Sequence, residues 1–319
     1  MIKRLLKRNR LIRNIAVNRK LKEISPVMLY HSVENTVKLD HELLQGTLHN
    51  VTPEAFGKQL EQLNKRFQFV FIDEYYDRLA KNQSVDGLIS LTFDDGYLSN
   101  LTEALPIMDA LEIPGTLFLC TSLVSSGSFW RDRVRLLEGK DLLNEFLIFA
   151  SKEDSDFSRF EPEKFYSQSK DPLGMNSKRV DEMICQFLDY KHIKYQNLGN
   201  DIYCKSSDLK KINSKYFNIG NHTMNHYVLS TLSSDEQIVE LSGAHDYISS
   251  LGLPQSMVFS IPFGGRNTIN EDTRSALRNL NYTGYIYSEG YRLVDSRIDE
   301  KQEGLVVATR TMPKEIDKY

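Results

Sequence analysis

Short apolar runs along this chain alternate with segments whose apolar positions recur every three or four residues, the pattern of strands interleaved with amphipathic helices. Val27-Met28-Leu29-Tyr30 is the first such run, followed by residues 67–72, 88–93, 116–121, 217–220, 257–261, 285–287 and 305–308. Between them lie predicted helices. One opens with Thr52 as N-cap and Pro53 at the first helical position, and carries Phe56, Leu60 and Leu63 on one face. Others cover 73–81, 100–111 and 270–280, and a helix over 233–249 is expected to turn Ile238, Leu241 and Ile248 inward. Strands alternating with helices predict a parallel sheet. The rhythm breaks over about 125–207, a polar, mostly helical stretch that reads as an insertion on the loop face of the sheet and a candidate lid.

The run at 88–93, Leu-Ile-Ser-Leu-Thr-Phe, suits a strand buried on both faces, and it leads straight into Asp94, Asp95 and Gly96. Two adjacent carboxylates at a strand end need a cation, a metal or water within reach, because burying them unpaired is costly. An ordinary Asp-Asp-Gly turn is the plain alternative. Later in the chain, His222 and His226 stand four apart just after another apolar run. On a helix that spacing puts both imidazoles on one face, and a curved loop can also bring them together. The C-terminal ends of parallel strands share one rim. Two imidazoles and a carboxylate meeting there would suit one divalent ion and leave coordination positions open.

Charge and composition narrow the picture. The 319 residues, 40% hydrophobic and 26% charged with a net charge of −3, describe a globular chain without the basic field of a nucleic-acid binder. Three scattered cysteines make neither a disulfide framework nor a zinc knuckle, which fits a reducing compartment. Residues 1–22 carry nine Lys and Arg and no acid, and Arg13 interrupts the apolar run that a secretory signal requires. The expectation is a cytoplasmic protein in two parts. A basic amphipathic segment, 1–23, touches an anionic membrane surface peripherally, and a catalytic domain, 24–319, holds the insertion.

Thr92-Phe93-Asp94-Asp95-Gly96 together with His222-Thr223-Met224-Asn225-His226 closely resembles the first two motifs of the polysaccharide deacetylases, the NodB-like carbohydrate esterases. Ser260-Ile261-Pro262-Phe263-Gly264 stands where the third motif of that family belongs. The resemblance implies a distorted (β/α) barrel in the α/β class, usually of seven strands, a choice that spacing and composition leave open. It implies Asp95, His222 and His226 as ligands of one divalent ion, zinc first, with Co, Mn, Ni or Fe as alternatives. Asp94 would be the general base, and the product of attack would be stabilised in part by a backbone N–H near Tyr97. The implied reaction removes an N-acetyl group from an amino sugar or glycan, in assembly of a bacterial surface polysaccharide.

The chain departs from that family at two places. Ser260 stands where an arginine usually orients the base, and the late Leu-x-His motif that supplies the acid is missing. His31, at the end of the first strand, resembles the histidine that some members place at the site and is the proposed acid. Arg310, near the last strand end, is a candidate for the lost arginine, with a surface salt bridge as the plainer role. Tyr97, Trp130, Phe263 and Gly264 are the candidate sugar contacts, Trp130 having a core anchor as its alternative. Competing functions are a non-catalytic glycan-binding relative, an amidase or deformylase acting on another acyl group, and a non-haem iron oxygenase built on the same two histidines and Asp95.

Overall fold

The computed structural model describes residues 24–35, 51–126, 129–196, 198–199, 201–288, 295–302 and 304–312. The basic segment expected to meet a membrane, 1–23, lies outside them. No described helix is long and apolar enough to cross a membrane.

The strands are β1 (Val27–Tyr30), β2 (Gln68–Phe69), β3 (Leu88–Phe93), β4 (Gly115–Leu119), β5 (Phe217–Asn221), β6 (Gln255–Ser260), β7 (Gly284–Ser288), β8 (Arg297–Gln302) and β9 (Leu305–Arg310). They pair in the order β1-β3-β4-β5-β6-β7-β9-β8, with the short β2 beside β3. Every neighbouring pair from β1 to β9 is parallel; only the β8–β9 hairpin runs antiparallel. The two edges of the parallel run then meet, since Leu29 N–H donates to the Thr311 carbonyl at 2.9 Å and Thr311 N–H to that of Val27 at 2.8 Å. This seam nearly closes a seven-stranded parallel barrel, the fold implied by the family resemblance. The strands read as continuous apolar runs because helices outside and side chains inside bury both faces of β1, β3, β4, β5 and β9.

Local chemistry sets the flanking helices. The first, α1 (Pro53–Asn64), starts where Thr52 Oγ1 accepts from Ala55 N–H at 3.2 Å, and it buries Phe56, Leu60 and Leu63. The helix after β5, Ser234–Ser250, starts from a capping box between Ser233 and Glu236. Its inner face differs from the expected one. Gln237, Glu240, Leu241, Ala244 and Ile248 are buried, while Ile238 is 47% exposed. The helical period puts 237, 241, 244 and 248 on one stripe and leaves Ile238 off it. Two polar residues can occupy that stripe because each is hydrogen-bonded: Gln237 accepts from Thr273, and Glu240 holds Asn225.

Between β4 and β5 the described residues form helices and turns. The longest are Trp130–Gly139, Leu143–Glu153 and Ser177–Tyr190. Phe146 sits at their centre, edge-on to Phe157 and Phe165 and 5.6 Å from Phe187 between ring centroids. Each such ring contributes about 1.5–3 kcal/mol on burial. The same apolar cluster runs on into Tyr227, Ile261, Leu277 and Tyr285 of the barrel, so the insertion shares a core with the strands whose ends carry the site.

Candidate active site

Parallel register aligns the strand ends on one rim. Tyr30 pairs with Phe93, Leu119 with Asn221, Asn221 with Phe259, and Ser288 with Arg310. The residues that follow these positions are His31, Asp94, Asp95, His222 and Phe263, and Arg310 closes β9.

At the end of β3 the chain turns through Asp95 (φ 72°) and Gly96 (φ 108°). A side chain on Gly96 would come within 2.7 Å of Leu119 Cδ1, so glycine is needed there for conformation and for room. The turn lets neighbouring carboxylates converge, which a regular strand would forbid. His222 and His226 lie on a loop and not on a helix. Thr223 (φ 69°) and His226 (φ 59°) take left-handed backbone. Asn221 Oδ1 accepts from Thr223 N–H at 2.7 Å, and Thr223 Oγ1 accepts from His226 N–H at 2.9 Å. Glu240 accepts from Asn225 N–H at 2.8 Å and from its Nδ2 at 2.6 Å, and the Trp130 indole N–H donates to the His226 carbonyl at 2.9 Å. These bonds hold a strained loop in one shape.

One ligand atom each from Asp95, His222 and His226 falls within 4.8 Å of the others. Asp95 Oδ1 is 3.6 Å from Nε2 of both imidazoles. His222 Nδ1 faces the Ser260 carbonyl at 2.8 Å and must donate to it, which leaves Nε2 as a lone pair aimed at the carboxylates. Among the described residues Asp95 Oδ1 has no hydrogen-bond partner despite its burial. Burial and the neighbouring Asp94 charge push the Asp95 carboxyl up to about 8, and burial lowers both histidines. Two neutral imidazoles and a carboxylate oxygen, all acceptors facing one point, fit a divalent cation and leave the oxygen unsatisfied without one.

Asp94 is held differently. Arg310 donates through Nη1 to Oδ1 at 2.7 Å and through Nη2 to Oδ2 at 2.8 Å, while Ser260 Oγ donates to Oδ1 at 3.1 Å. Burial alone would raise this carboxyl, but the guanidinium and then His222 outweigh it and hold it well below the usual range. Arg310 is itself buried, so the surface salt bridge expected from the sequence is corrected: its carboxylate partner is Asp94. Ser260 faces both acid and ligand, through its hydroxyl to Asp94 and its carbonyl to His222. The signal that points to Arg310 is a cation closing an apolar run, on a rim where two acids need a counter-charge.

The other expected residues take distinct places. His31 lies half-buried on the rim, close enough for a proton on its ring to act electrostatically on both Asp94 and His226. Tyr97 is buried against Tyr203, with hydrogen bonds on either side of the pair from Leu98 to Ile202 and from Cys204 to Gly96. That pattern directs the Tyr97 N–H away from Tyr203. Trp130 is 1% exposed and packs against Arg131, Tyr227 and Phe263, beneath the His226 loop. Phe263 (φ 61°) is half-buried and edge-on to the His226 ring at 4.6 Å. Gly264 lies where a Cβ would meet that of Ser288 at 2.3 Å, and Ser288 Oγ accepts from Arg310 at 2.8 Å. Glu240 was not anticipated: a lone acid in an amphipathic helix reads as a solvated residue, and only the tertiary structure gives it Asn225.

The nearly closed seven-stranded barrel and the Asp95, His222 and His226 cluster on its rim are the fold and ligand set that the family resemblance implied. A model of the polysaccharide deacetylase family matches residues 81–147 and 174–285, more than half of the chain, and the chain belongs to that family. Several solved structures share its fold. Deacetylase PplD from Streptococcus pyogenes, solved in complex with acetate, aligns with a TM-score of 0.57 at 17% identity, over 91% of this chain and 93% of its own. IcaB from Ammonifex degensii aligns with a TM-score of 0.57 at 16% identity, over 93% and 95%. A de-N-acetylase from Aggregatibacter actinomycetemcomitans gives 0.51 at 13%, over 90% and 94%. A search of curated protein sequences finds no match.

Proposed function

We propose that this protein is a metal-dependent hydrolase that removes the N-acetyl group from an amino sugar of a glycan. One arrangement carries this reading: an ionised, doubly anchored Asp94 stands beside a set of three donors made by Asp95, His222 and His226. A divalent ion in that set, zinc by donor chemistry, would act as a Lewis acid on an acyl carbonyl and lower the pKa of water from about 15.7 towards about 7. Asp94 then acts as proton acceptor. Arg310 and Ser260 fix both of its oxygens in direction, so its lone pairs are aimed before substrate arrives. Because Arg310 also weakens the carboxylate as a base, the reaction depends on water that is already acidified.

His31, across the rim, is the proton donor to the departing amine in this reading, and the Tyr97 N–H supports the developing oxyanion. An amide substrate is favoured by the de-N-acetylase among the structural relatives, and acetate as product by the acetate complex of another. The test is acetate release from a panel of acetylated amino sugars, nucleotide-linked and polymeric, before and after chelation and after zinc is restored. Metal-dependent release is expected. His222→Ala should lose metal, whereas Asp94→Asn should keep it and lose most turnover. No release from any substrate by metal-loaded protein would overturn the reading.

A further inference from the structure

Next to the metal loop, three rings and two cations form a closed circuit. Phe263 and Trp130 stand 6.3 Å apart edge-to-face, and the Arg131 guanidinium lies 4.5 Å from the Trp130 ring and 4.1 Å from that of Tyr166. The Lys170 ammonium lies 4.8 Å from the Tyr166 ring and 6.0 Å from that of Phe263, which closes the loop. Two members also touch the His226 segment: Trp130 through its indole N–H, which donates to the His226 carbonyl, and Phe263 through its ring.

The charges of this circuit do not cancel. Arg131 is 2% exposed and, among the described residues, donates to neutral groups, Ser169 Oγ at 2.9 Å and the Tyr166 carbonyl at 2.6 Å. Its Nε has no hydrogen-bond partner among the described residues. Lys170 is half-buried and forms no ion pair among them, and the adjacent Asp171 is turned to the Leu173 N–H at 3.0 Å. Among the described residues the acids near this circuit are engaged by other groups or exposed: Asp132 is held by Arg135 at 2.8 Å and by the Tyr203 hydroxyl at 2.9 Å, Asp181 by Arg133 and Tyr227, and exposed Glu138 is shared between Arg131 and Arg135. Lys170 is destabilised by burial and by the facing charges of Arg131 and Arg135. In a chain of net charge −3, a buried guanidinium and a half-buried ammonium have been gathered beside the rim; Glu138 offsets Arg131 in part, and Lys170 has no ion-paired carboxylate among the described residues. The repulsion between the two cations is offset only in part by ring quadrupoles.

We infer that Lys170, backed by Arg131, binds an anionic group of the substrate beside the acetylated sugar, so that the enzyme acts on a charged amino-sugar compound such as a phosphate- or uronate-bearing glycan. This rests on the deacetylase reading and deepens it. The ring of Phe263 supplies an apolar shelf between the anion and the metal loop. An ammonium–anion contact in a partly dehydrated site is worth about ten- to a hundredfold in affinity. Focusing by low-dielectric walls extends its reach.

The test is equilibrium binding to metal-loaded Asp94→Asn protein, an isosteric variant expected to be without turnover. Three probes are compared: neutral chitotetraose, a hyaluronan tetrasaccharide for a carboxylate, and UDP-N-acetylglucosamine for a phosphate. At least one anionic probe should bind about tenfold or more tightly than chitotetraose. That advantage should weaken as salt rises, fall about tenfold with Lys170→Ala and return with Lys170→Arg. The probe that shows it identifies the anion. Equal affinity for neutral and anionic probes, or equal losses for both in Lys170→Ala, overturns the inference. Acetate release by wild-type protein from any acetylated substrate keeps the deacetylase reading whichever result is found, so the two can fail separately.

Discussion

Arg310 holds both oxygens of Asp94, at 2.7 and 2.8 Å, across 216 residues of sequence. Removing the guanidinium leaves a buried carboxylate with Ser260 alone, and breaking a buried pair in this way costs about 3–5 kcal/mol. Arg310→Met should therefore unfold at lower denaturant concentration, and Arg310→Lys, which keeps one charge, should lose less. In the Lys variant a base misaligned by about 1 Å should lower kcat about a hundredfold, with metal content unchanged.

The same contact sets a pH dependence. Folding depresses the Asp94 pKa below its unfolded value of about 3.9, so its stabilisation is fully present above that value. It is lost as pH falls through the folded pKa. Wild-type stability, measured by denaturant titration of metal-free protein, should drop below about pH 4, and Arg310→Lys should show a smaller drop. The acid limb of kcat/KM that belongs to Asp94 should move to higher pH in that variant.

Ser260 separates two functions of one residue. Ser260→Ala deletes the hydroxyl bond to Asp94 but retains the carbonyl that fixes His222. Turnover should fall about tenfold, the effect of one hydrogen bond to a charged group, while zinc affinity stays at the wild-type value. Calorimetric zinc titration beside steady-state kinetics measures both.

Glu240 should show the opposite split. It anchors Asn225 in the middle of the histidine loop without touching any proposed ligand side chain. Glu240→Ala should weaken zinc binding about 10- to 100-fold, a size typical of lost support around ligands, and circular dichroism should show the fold retained.

Asp181 ties the insertion to the same loop. It accepts from Arg133 at 2.7 and 2.6 Å and from the Tyr227 hydroxyl at 2.7 Å, one residue after His226. Asp181→Ala should cost about 3–5 kcal/mol in denaturant unfolding by stranding Arg133, and Arg133→Met with Asp181→Leu should recover most of it.

Local patterns carried the reading where local chemistry decides structure. The buried run of β3 leading into Asp94, the Thr52-Pro53 helix start and the Ser233-Ser234 pair, either of which could cap the helix over 233–249, all left signatures within a few residues. The meeting of one of the two aspartates with His222 and His226 was legible as soon as the sheet was parallel, because parallel strands put their ends on one rim; that it is Asp95 was implied by the family resemblance alone. Arg310 was misjudged for a physical reason: its partnership depends on closure between the first and last parallel strands, which no local window contains. The β8 strand escaped notice because Arg-Ile-Asp-Glu-Lys-Gln lies at a sheet edge and carries no apolar run in its sequence to reveal it. Gln237 and Glu240 escaped because their burial depends on distant partners, while Ile238 was expected inward for being apolar.

The seam beside Thr311 gives the site an order of assembly. Synthesis proceeds from the N-terminus, so both aspartates and both histidines emerge from the ribosome before β9 does. A nascent chain that stops short of β9 would carry all three donor residues but leave Asp94 without its guanidinium. Closure of the barrel and alignment of Asp94 are thus one event, completed by the last parallel strand.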